Sequence, residues 1–135
     1  MRVTTLLTIL TLAAGCGGRD RPQPSTMGGM SMRADSLMPM MRAHLDSLTA
    51  MSPQGAAEAL TAHDAMASEM LDAMGSDMRM MSMQPDSAWT ALTDSIKRDL
   101  ADLPSLSGRA LETRMQAHQG RLRRLMDRHA AMMRP

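Results

Sequence analysis

The sequence predicts an all-α fold, an up-down four-helix bundle following a flexible, lipid-proximal tether. Three observations predict it. From residue 36 onward, apolar residues recur at alternating steps of 3 and 4, which keeps one stripe of a helix facing its partners. Ser52-Pro53, Pro85-Asp86 and Leu103-Pro104 punctuate those stripes where helices begin or stop. The intervening segments are short, so neighbouring helices should be antiparallel.

The elements follow in chain order. Arg2 precedes an apolar run from Val3 to Leu12 and then small residues. That run is too short to span a bilayer and has the form of a secretory signal. Its ending, Leu12-Ala13-Ala14-Gly15-Cys16, resembles the lipobox of bacterial lipoproteins. The resemblance implies a signal peptide over 1–15, then cleavage before Cys16, with Cys16 acylated on its sulfur and its new amino group. Gly17 in place of Asp implies the periplasmic face of the outer membrane. Cys16 is the sole cysteine, so no disulfide framework is possible.

Residues 16–34 read as the lipidated tether, rich in Gly, Pro and Ser and without apolar periodicity. Residues 35–135 then form one helical domain. The first helix is expected over Ser36–Met51, with Pro39 in its opening turn and a stripe of Leu37, Met41, His44, Leu48 and Met51. The second opens at Ser52-Pro53, runs to about Met81 and carries Leu60, His63, Ala67, Met70 and Met74. The third runs from Asp86 to Leu103 through Trp89, Leu92, Ile96 and Leu100, where Pro104 stops it. The fourth starts at Ser105–Ser107 and carries Leu111, Met115, His118, Leu122, Leu125, His129 and Met132.

Composition sharpens the question of function. Methionine makes up 19 of the 135 residues, Phe and Tyr are absent, and Trp89 is the only aromatic. All four histidines fall on inward stripes, each with a methionine three residues away: Met41 with His44, Met66 with His63, Met115 with His118, Met126 with His129. Methionine ordinarily fills irregular gaps in cores, and a buried histidine is ordinarily satisfied by hydrogen bonds. However, Met27, Met30 and Met32 lie where there is no core to join, and Met80 and Met83 lie away from the His63 stripe. Thioether and imidazole are ligands suited to Cu(I), and thioethers keep that capacity at any pH.

Antiparallel placement gives two expected metal clusters. His44 and His63 flank the turn at Ser52 and meet with Met40, Met41 and Met66. At the other end, His129 with Met126 and Met133 meets Met81 of the Met78–Met83 turn, with the Met27–Met32 segment folding back. His118, Met115 and Met74 are expected between the ends. The Met-x-x-His spacing and runs such as Met78-Arg79-Met80-Met81 resemble Met/His-rich periplasmic copper-binding and copper-resistance proteins. That resemblance implies binding, buffering or handover of Cu(I) or Ag(I), with other envelope metal-handling proteins as partners.

Other classes are a structural or interaction lipoprotein with a Met-packed core and no metal, a methionine oxidant sink, and a haem bundle. Nucleic acid is disfavoured, because without Arg2 the chain carries 14 basic against 14 acidic residues. Membrane attachment is expected through the lipid. No phosphate loop, nucleophile elbow, His-Glu-x-x-His or Glu-x-x-His pattern occurs, so no enzyme is expected. Arg121, Arg123, Arg124 and Arg128 read as a solvated face.

Overall fold

The computed structural model describes residues 33–134. The signal peptide, Cys16, nearly all of the tether with Met27, Met30 and Met32, and Pro135 lie outside the described residues. Among the described residues the fold is all-α, with five helices, one 3-10 turn and no strand. They are α1 (Arg33–Ala50), α2 (Pro53–Glu58), α3 (Leu60–Met80), α4 (Ser87–Asp102), the turn Leu103–Ser105, and α5 (Gly108–Met132). None of the described helices is long and apolar enough to cross a membrane.

The helix ends have local causes. α1 begins earlier than expected because the carboxylate of Asp77, on α3, accepts from the backbone N–H groups of Arg33 and Ala34 at 3.3 and 3.0 Å. These are orphan donors that a helix start must satisfy. Pro39 consequently lies inside α1, and the Asp35 carbonyl it leaves without a helical donor is on an exposed residue. Met51 is outside α1 and exposed, so it does not continue the stripe. Ser52 caps α2, its Oγ accepting from Gly55 N–H at 3.2 Å with Pro53 in the first turn.

The single helix expected over 52–81 is broken at Ala59 (φ −81°, ψ −7°). α2 buries no residue fully, so no packing holds it collinear with α3. α3 ends in a Schellman motif: Met83 N–H donates to Met78 C=O, Ser82 N–H donates to Arg79 C=O, and Ser82 is left-handed at φ 54°. Asp86 caps α4, accepting from Trp89 N–H at 2.8 Å. Pro104 does not end the chain's coiling but continues it as the 3-10 turn. Gly108, at φ +55°, then supplies the left-handed step into α5.

Side-chain pairs give the packing order. On α1 and α3, Ala34 meets Asp77 while His44 meets His63, so the two run antiparallel. On α4 and α5, Asp99 meets Arg114 and His118 while Asp86 meets Arg128, again antiparallel. α1 and α5 are also antiparallel, linked by Arg42–Asp127 at 2.7 Å, Asp46–Arg123 at 2.8 Å, and Thr49 Oγ1 donating to Gln119 Oε1 at 2.9 Å. The supposed solvated face of arginines is therefore largely a set of interhelical ion pairs; Arg124 alone of the four is exposed.

Between these surfaces lie Met41, Leu45, Met70, Met74, Met78, Ile96, Leu122, Leu125 and Met126, all buried. Each contributes about 1.5–3 kcal/mol by leaving water. The α3–α4 side is looser. Two clefts of about 620 and 450 Å³ lie there, and both are lined by Leu71, Asp72 and Lys97.

Candidate metal centre

Three helices each bring one histidine to the middle of the molecule. His44 Nε2 is 3.1 Å from His63 Nδ1, and His63 Nε2 is 3.0 Å from His118 Nε2. His118 Nδ1 is 3.3 Å from Asp99 Oδ2. Asp99 is itself buried and is held by Arg114 at 3.1 Å and by Arg121. His44 is half-buried at one end of this chain of rings, and Arg114 and Arg121 reach solvent at the other.

Burial fixes the protonation of the rings. Desolvation pushes His63 down to about 3, with the neighbouring His118 and His44 adding to the fall. His118 is lowered by desolvation against the upward pull of Asp99, and His44 is lowered by its partial burial. With neutral rings only one arrangement satisfies every contact. A carboxylate only accepts, so His118 Nδ1–H donates to Asp99. His118 Nε2 then accepts from His63 Nε2–H, and His63 Nδ1 accepts from His44 Nε2–H. Donation runs in one direction, from surface to core.

This arrangement favours a particular metal chemistry. His63 turns a different nitrogen to each neighbour, and among the described residues no three His, Cys, Asp or Glu groups converge on one point. An ion held here would have two imidazoles as its nitrogen ligands. The facing Nε2 atoms of His63 and His118 are the natural pair: ligands about 2.0–2.1 Å from a tetrahedral ion stand about 3.4 Å apart, a few tenths of an ångström beyond their present separation. His118 also has the outer-shell support usual for a metal-bound imidazole, its other nitrogen donating to a carboxylate.

The chain matches no protein-family model, no curated protein and no solved structure.

Of the residues expected in the first cluster, His44 and His63 are brought together, Met41 is buried and Met66 half-buried beside them on their helices. Met40 instead points to solvent, 55 % exposed. His118, expected with Met115 and Met74 between the two clusters, instead joins this one. In the second, His129 and Met126 are buried and Met133 is half-buried, while Met81, just past the end of α3, is 51 % exposed. Met83 has a structural explanation, since it is the residue after the left-handed Ser82 that packs back on the α3 end.

Two buried carboxylates, Asp77 and Asp99, were not anticipated, although the sequence carries a signal for both. Trp89, Leu92, Ile96, Asp99 and Leu103 follow steps of 3, 4, 3 and 4, and Met70, Met74, Asp77 and Met81 follow 4, 3 and 4. Both acids occupy stripe positions, where a charge without a partner is costly.

Proposed function

We propose that this protein is a cell-envelope lipoprotein that binds a soft metal ion, Cu(I) or Ag(I), in the middle of its helical domain for buffering, resistance or handover. The observation that carries the reading is the buried Nε2–Nε2 pair of His63 and His118, with His118 backed by Asp99. Met115 lies three residues before His118 and is buried; Met66 lies three after His63 and is half-buried. They provide thioethers one helical turn from the donor nitrogens. Neutral imidazoles need lose no proton to bind, which removes the usual competition between proton and metal. Cys16 is the proposed anchor to the membrane, and the copper-handling proteins of the envelope are the proposed partners.

The test is anaerobic titration of the protein with Cu(I) against a competing chelator. Wild type is expected to bind tighter than about 1 μM. The His63→Ala, His118→Ala double variant should bind one Cu(I) fewer than wild type, while Met80→Leu keeps the wild-type count. An unchanged count in the double variant would overturn this site.

A second reading has its own support. The three rings and Asp99 already form a complete hydrogen-bond chain, which suits a metal-free bundle that docks an envelope partner. In that reading Cu(I) would bind no more tightly than it binds a scrambled Met-rich peptide.

A further inference from the structure

The fourth histidine is in a different situation. His129 lies eleven residues beyond His118 on α5, about 16 Å along the helix, and is completely buried. Neither Nδ1 nor Nε2 has a hydrogen-bond partner among the described residues. The carboxylate of Asp77 faces it, with Oδ2 3.9 Å from His129 Nε2. Asp77 is equally buried, and its contacts are the first amides of α1. The Arg33 side chain turns away to Glu69 at 2.8 Å, and no Arg or Lys among the described residues forms an ion pair with Asp77. Trp89 covers one side, its ring 6.1 Å from that of His129.

The separation of 3.9 Å is too long for a direct hydrogen bond, which runs at about 2.7–3.2 Å. Nitrogen and oxygen ligands of one cation, each about 2.0–2.2 Å from it, stand about 3.4–4.2 Å apart. Ligand type indicates which cation: thioether and imidazole together suit a monovalent d10 ion such as Cu(I) or Ag(I). Met126 lies three residues before His129 on α5 and Met74 three before Asp77 on α3, each one helical turn away on the same face, and both are buried.

The geometry points to a second cation site, built by His129 and Asp77 and closed by thioethers, that takes one monovalent d10 ion. It stands apart from the His63–His118 pair and shares with that reading only the preference for soft ions.

The full chain, labelled with 15N-histidine, is titrated with Ag(I) as a redox-stable probe and separately with Zn(II), and each ring nitrogen is followed by long-range 1H–15N spectra. His129 Nε2 is expected to shift on Ag(I) addition and to stay in place with Zn(II). Asp77→Asn should weaken the response of His129 by about 10-fold or more and leave those of His63 and His118 unchanged. Calorimetry on His129→Leu should find one Ag(I) fewer than wild type. A silent His129 in the wild-type spectra overturns this site whether or not the other rings respond, and it needs no variant to fold. A responding His129 with His63 and His118 silent upholds this site and overturns the other. Zn(II) bound at His129 as tightly as Ag(I) overturns the monovalent assignment.

Discussion

A buried imidazole with both nitrogens idle is a standing cost to the folded state, and His129 carries that cost. Each unmet donor or acceptor in a dry interior costs about 1–3 kcal/mol. His129→Leu replaces the ring with a side chain of similar bulk and no polar atoms. It should therefore stabilise the metal-free protein by about 1–3 kcal/mol, read as a higher urea midpoint at unchanged slope. The same substitution at His118 should destabilise, because it would leave the buried Asp99 without that donor. The inward placement of all four histidines was legible from their 3,4 spacing, since periodicity reports which face a residue occupies. Which acid each ring would meet was not legible, because that depends on the height at which separate helices cross. Asp77 and Asp99 occupy stripe positions, but their partners come from α1 and α5.

At the scale of elements, turn chemistry separates what the sequence showed from what it hid. Ser52-Pro53 and Asp86 mark the starts of α2 and α4 through local caps, and local caps can be read from local sequence. The start of α1 depends on Asp77, over forty residues away, and nothing near Arg33 announces it. The end of α3 shows a third case. Ser82 holds the left-handed position of a Schellman cap, a conformation that a residue with a Cβ adopts at a cost and glycine adopts freely. Ser82→Gly should raise stability by about 0.5–1 kcal/mol, measured by thermal unfolding. It should leave metal affinity unchanged, because the exposed Ser82 takes no part in either histidine cluster.

For the whole molecule, the buried histidines couple folding to pH. Unfolded, an imidazole takes up its proton near pH 6.5; folded, His63 resists until about 3. A depressed histidine stabilises the fold fully above its unfolded value and loses that contribution as pH falls toward its folded one. At pH 5 the loss from His63 is roughly 2 kcal/mol, and His118 and His129 shift in the same direction. The melting temperature should therefore fall between pH 7 and pH 5, and His63→Gln should flatten that slope. The all-α class was legible at this scale. The looser α3–α4 side was not, because apolar spacing says which face is buried and not how closely two buried faces approach.

The direction of the histidine chain has one more consequence. An ion seated between His63 and His118 takes the lone pair of His63 Nε2, so the His63 proton must move to Nδ1, where it donates to His44. His44 must then accept at Nε2 and carry its own proton on Nδ1. No proton enters or leaves the three rings, yet every tautomer upstream of the ion is inverted. The half-exposed His44 would thereby display at the surface whether the core is filled, presenting a hydrogen-bond acceptor when it is empty and a donor when it is loaded.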